Sequence, residues 1–134
     1  MKVTDLHVGM SYTMKRAFSE KEVRLFAELS YDTNPVHLDA QYAEKSMFGQ
    51  RIVPGFLTAS LFSAIIGTRF PGEGSIYLSQ NMKFLKPVYF NQVIVAKVII
   101  KEINVKKNRV LLDTCCSTED DTLLIEGQAL VKLQ

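Results

Sequence analysis

The chain has 134 residues, 47% hydrophobic and 22% charged, enough for one buried core and too apolar for wholesale disorder. Sixteen basic and fourteen acidic side chains leave a net charge of +2, which does not point to nucleic acid, and no basic cluster interleaved with aromatics occurs. Met1 to Met10 lacks the apolar stretch of a secretory signal, and the longest apolar run, Phe56 to Ile66, falls short of the roughly 20 residues of a membrane span.

In chain order, a short strand is expected from Ser11 to Ala17. Ser19 and Glu22 then form a capping box, and Phe18 and Val23 stand at the spacing of a hydrophobic staple, so a helix starts there. Val23, Leu25, Phe26 and Leu29 give it an apolar stripe, and it ends near Ser30. Tyr31 to His37 reads as a loop, because Pro35 pushes Asn34 out of the helical region. A short helix from Asp39 to Ser46 follows. Pro54-Gly55 opens a helix over Gly55 to Thr68 with apolar residues on every side, the pattern of a helix buried all round.

From Ser75 the period changes to two. Ile76, Leu78, Met82 and Phe84 alternate with Tyr77, Ser79, Asn81 and Lys83, and Lys86-Pro87 interrupts the strand. Gln92 to Asn104, Val110 to Thr118 and Thr122 to Leu133 complete four long strands joined by turns, an antiparallel sheet against which the apolar helix can bury. Cys115 and Cys116 are neighbours in a strand and point to opposite faces, so they do not pair with each other. With no CxxC and only two His, the expectation is a cytoplasmic-type protein without structural zinc or other metal. Residues 1–134 read as a single domain.

Two places could carry chemistry. Asp32 and His37 share a Pro-containing loop, where a carboxylate and an imidazole can hold one water and move its protons. Spacing alone also allows Asp32 and Asn34 to be turn formers and His37 a plain loop residue. At Pro54-Gly55, the Gly55 N–H stands at the positive end of a helix, with no side chain in the way of an oxyanion. Helix-start chemistry or close packing would explain the same glycine. No Gly-x-Ser-x-Gly elbow supports a serine hydrolase, and Gly72-Glu73-Gly74 is too short for a nucleotide loop and lacks the Lys. Arg69, Lys83 and Lys86 are cations that could meet phosphates.

Three stretches together resemble the MaoC-like (R)-specific enoyl-CoA hydratases: Asp32-Thr33-Asn34-Pro35-Val36-His37-Leu38-Asp39, Ile52-Val53-Pro54-Gly55-Phe56-Leu57 and Phe84-Leu85-Lys86-Pro87-Val88. The resemblance covers nearly the whole chain and implies an α+β hotdog fold, an antiparallel sheet of about five strands wrapped around one long buried helix. It implies a homodimer that binds acyl-CoA near the subunit interface and needs no cofactor. Asp32 and His37 would activate water, the Gly55 amide would hold the thioester oxygen, Asn34 would brace the loop and Ser63 would help orient Asp32. The expected reaction is reversible syn addition of water to a trans-2-enoyl-CoA, giving the (R)-3-hydroxyacyl-CoA. Pro54 departs from the pattern, since many relatives carry His before this glycine; the backbone donor does not need that His. A hotdog acyl-CoA thioesterase and a non-catalytic acyl-CoA binding subunit are the competing readings.

Overall fold

Gly55–Thr68 carries no charged side chain, and these 14 residues form helix α4, the centre of the fold. The computed structural model describes residues 1–134. Strand β1 (Ser11–Arg16) leads into α1 (Glu20–Ser30), then α2 (Pro35–Leu38) and α3 (Ala40–Glu44) precede α4. Strands β2 (Ile76–Phe84), β3 (Ile94–Asn104), β4 (Arg109–Thr118) and β5 (Leu123–Lys132) follow. All five strands lie in one antiparallel sheet, in the order β1-β3-β4-β5-β2, with α4 packed on its inner face. This is the α+β arrangement the resemblance implied. No helix is long and apolar enough to cross a membrane.

Local chemistry explains the first helix. Glu22 N–H donates to Ser19 Oγ at 3.3 Å, and Ser19 N–H donates to Glu22 Oε1 at 3.0 Å. Together they satisfy two orphan donors of the helix start. The Ser19 backbone amide, with its hydroxyl and the nearby Arg16, holds the Glu22 carboxyl below its usual range. Phe18 and Val23 are both buried in the core, as the staple requires.

Three expectations change. The loop expected through His37 ends earlier: Asn34 Oδ1 accepts from Val36 N–H at 3.2 Å, Pro35 takes the first helical position, and His37 lies in the resulting turn, α2. Proline at that position has a preset φ and no N–H to lose. Next, β2 does not form a hairpin with β3. After Phe84 the chain crosses the sheet end, where Leu85 N–H bonds Leu124 O and Val53 N–H bonds Val88 O, and β2 is left as the edge strand beside β5. Pro87 lies in this crossing, where it interrupts no ladder.

Finally, α4 is not buried all round. Thr58, Ala59, Leu61, Phe62, Ile65 and Ile66 are buried, but Phe56 is 68% exposed, and Ser60, Ser63 and Gly67 continue that open face. One sheet covers only one side of a helix.

Register sets which side chains meet α4. Met14, Ala96, Cys116, Ile125 and Phe84 are paired across the sheet in one inward row. Lys97, Cys115, Glu126 and Lys83 form the next row, on the outer face. The two cysteines are free and on opposite faces. Burial pushes the Cys116 thiol up to about 12 and raises that of Cys115.

The tightest approach in the sheet is at Gly127, where a Cβ would stand 1.8 Å from the backbone oxygen of Asn81 in β2. Gly127→Ala is expected to destabilise the chain by about 1–3 kcal/mol, the usual cost of forcing atoms into filled space. Equilibrium urea unfolding checks this; an unchanged midpoint would mean that β2 can yield.

Candidate active site

His37 is 8% exposed, and its Nδ1 lies 2.7 Å from the Ile52 carbonyl oxygen. A carbonyl only accepts, so Nδ1 carries the proton and Nε2 keeps its lone pair. Ile52 N–H in turn donates to Val36 O at 3.3 Å. The α2 turn is thereby fastened to the segment that leads into Pro54 and Gly55.

Asp32 is exposed and follows Tyr31, which caps α1 in the left-handed conformation at φ 63°. Its Oδ1 accepts from Asn34 N–H at 3.3 Å, and its own N–H donates to Ser30 Oγ at 3.1 Å. Asp32 makes no hydrogen bond to His37, and the only partner of the imidazole is Ile52. Both groups therefore keep capacity for a shared water. Asn34 braces this stretch directly, as the cap of α2.

At the start of α4, Leu57 and Thr58 N–H donate to Pro54 O at 3.0 and 3.2 Å. The Gly55 and Phe56 amides have no partner in the chain, so they are the open donors at the positive end of the helix. Gly55 also lines a cavity of about 510 Å³, with Ile52, Val53, Phe56, Thr58, Phe84 and Lys86 among its walls. The walls are mostly apolar. A Cβ at Gly55 would lie 2.6 Å from Phe84 Cε1, so only glycine fits under that ring as it stands.

The structure does not gather every expected residue. His37 is not one of the cavity walls but bonds Ile52, which is, and Lys86 lines the cavity. Ser63 is exposed on α4 and makes no hydrogen bond to Asp32. The other two cations stand elsewhere. Lys83 points from the outer face of the sheet, beside Cys115 and Glu126, because parity along β2 puts it opposite Phe84. Arg69 caps the far end of α4, about 20 Å along the helix from Gly55. Of the three cations expected at phosphate, only Lys86 stands at this cavity. Thr58, a wall residue whose phase on the helix is legible, was missed: its hydroxyl is buried and unpartnered. No group of three or more His, Cys, Asp or Glu side chains comes together as a set of metal ligands.

Comparison with known proteins agrees with this geometry. Residues 4–119 match the MaoC like domain. A 3-hydroxybutyryl-CoA dehydratase of Methylorubrum extorquens is 40% identical over 96% of this chain and 82% of its own length. An (R)-specific enoyl-CoA hydratase of Aeromonas caviae is 39% identical over 99% of each chain. The solved structure of an (R)-hydratase from A. caviae, described as involved in PHA biosynthesis, superposes with a TM-score of 0.93 at 40% identity, over 96% of this chain and 98% of that one. Sheet order, central helix and the matched length agree: the chain belongs to the MaoC-like family.

Proposed function

We propose that the chain is an (R)-specific enoyl-CoA hydratase, a hydro-lyase that adds water to a trans-2-enoyl-CoA and runs the reverse dehydration at the same site. The observation that carries this reading is the His37–Ile52 hydrogen bond, which ties the imidazole to a residue lining the cavity whose wall also holds an unpaired helix-start amide. The relatives' names support it.

The mechanism follows from thioester chemistry. Gly55 N–H polarises the carbonyl, and negative charge that develops on that oxygen stays next to the donor. C3 becomes electrophilic. His37 Nε2 takes a proton from the water that Asp32 positions as its oxygen adds to C3; as the enolate electrons return to C2 that proton is passed on to C2, so both groups end as they began. Water and proton arrive from one side, a syn addition, and the face of C3 turned toward His37 and Asp32 makes the alcohol (R). Lys86 is the cation placed to meet CoA phosphate at the cavity. Neither a metal nor a redox cofactor takes part in these steps. Free Cys115 and Cys116 fit a reducing, cytoplasmic setting.

A homodimer completes this reading. Strand β1 ends in charges already paired, Lys15 with Glu119 and Arg16 with Glu22, which blunts that edge. Strand β2 instead leaves Ile76 and Leu78 40% and 42% exposed, on the open edge of the sheet. A second copy paired there would cover this edge and the open face of α4. Light scattering at micromolar concentration should give twice the chain mass; a monomer would count against the shared interface.

Asp32→Asn and His37→Ala should each lower turnover of crotonyl-CoA by about a hundredfold to ten-thousandfold with the fold intact. The assay follows loss of enoyl absorbance while the thioester survives, which also separates hydration from thioester hydrolysis. Folded variants at near wild-type rate would refute the assignment.

Gly55→Val should cost about a hundredfold or more in rate, because its branches crowd the amide. It also strikes Phe84. Adding Phe84→Ala should therefore restore the melting temperature but not the turnover. Recovery of both would make Gly55 a packing residue only.

A further inference from the structure

Four hydroxyls lie on α4, and three have an ordinary fate. Ser60 Oγ donates to Leu57 O at 2.5 Å and Thr68 Oγ1 to Ala64 O at 2.6 Å, the usual bonds to a preceding turn. Ser63 is exposed to solvent. Thr58 is 0% exposed, and its Oγ1 has no hydrogen-bond partner in the chain. A buried hydroxyl without a partner is costly and uncommon in native proteins and calls for a reason, and of the three unpartnered buried side-chain atoms in this chain only that of Thr58 lines this cavity.

Position shows which ligand atom this one serves. Thr58 lines the same cavity as Gly55, three residues further along the same helix. Residues at that spacing share a face, and a helical side chain leans back over the turn that precedes it. The Thr58 side chain, which carries this hydroxyl, therefore leans over the turn that begins with Gly55. Apart from the Gly55 amide and Lys86, the walls named by this cavity offer little but hydrocarbon. A hydrocarbon acyl chain gives a hydroxyl nothing to bond. The one polar atom of an acyl thioester that belongs beside Gly55 is its carbonyl oxygen.

We infer that Thr58 is a second oxyanion donor, its O–H bonding the thioester oxygen together with the Gly55 N–H. This rests on the hydratase reading and deepens it, since it names a catalytic residue for the same carbonyl. A carbonyl oxygen has two lone pairs, and two preorganised donors hold the charge that develops during addition better than one. No proton leaves Thr58; its role is electrostatic.

Thr58→Val and Thr58→Ser test this with crotonyl-CoA as substrate. Val has the shape of Thr and removes only the hydroxyl. Thr58→Val should lower kcat by about a hundredfold, the usual loss for one oxyanion donor, with KM nearly unchanged. Its melting temperature should hold or rise, because an unpaired buried hydroxyl is gone. Thr58→Ser keeps the donor and should keep most of the turnover. Wild-type turnover in Thr58→Val overturns the assignment. So does a Thr58→Val that melts earlier while Thr58→Ser is equally slow, since that pattern belongs to a packing residue. A wild-type chain that does not hydrate crotonyl-CoA would refute the hydratase reading first, and Thr58 with it.

Discussion

The bond between His37 Nδ1 and the Ile52 carbonyl joins segments 15 residues apart, and much of the site depends on it. It sets the tautomer of the neutral ring: the proton is on Nδ1 and the lone pair on Nε2. The same peptide segment is held on its other sides by Ile52 N–H to Val36 O and Val53 N–H to Val88 O. Ile52 and Val53 thus lie between the α2 turn and the crossing from β2 to β3. Two residues later the chain reaches Gly55. The His37 imidazole and the Gly55 amide, 18 positions apart in sequence, are linked by three hydrogen bonds around one dipeptide. A shift of that dipeptide would move both groups together.

The second constraint is the apolar character of α4. A helix without charged side chains has to be covered, and a curled sheet covers only the side it touches. What remains open is the line through Phe56, Ser60, Ser63 and Gly67, beside the half-exposed edge strand β2. The same composition serves the chemistry. With no cation or anion along α4, nothing on the helix itself competes with the positive end of its dipole at Gly55. On the proposed reading, burial and catalysis ask for the same sequence.

Much of this was legible because its causes are local. The Ser19–Glu22 box, the Pro54-Gly55 helix start and the opposite faces of Cys115 and Cys116 follow from backbone rules that act within a few residues. The Asp32 to His37 stretch was legible as a motif, though not the turn that places His37, because proline both ends and begins helices. The partner of β2 was not legible. Hairpin pairing is the local default, and only the hydrogen bonds of Leu85 and Val88 show that the chain crosses instead. The cations are a different lesson. Lys83 is one residue from Phe84 and so faces away from it; Arg69 stands one whole helix away from Gly55. Parity and helical rise already contain both facts, once the strand and helix limits are known. Whether the Thr58 hydroxyl bonds Pro54 O or stays free depends on a rotamer, and no sequence pattern carries that.

Departures from local rules have a distribution in this chain. Four residues other than glycine have positive φ, and Asn91, Asn108 and Asp121 are of the types that tolerate it in turns. Tyr31 is the exception, and it immediately precedes Asp32. The glycine whose missing Cβ leaves room for a neighbouring side chain is Gly55, under Phe84. The helix hydroxyl that is buried and unpartnered is Thr58, on the wall of the same cavity. Stability alone would favour a glycine or asparagine at 31 and a valine at 58. Chains are consistent across levels where only folding is at stake, and break local rules where a site needs a particular group in a particular place. The Asp32 turn and the Gly55 helix start carry three such departures, and the His37 imidazole is tied to the second of them through Ile52.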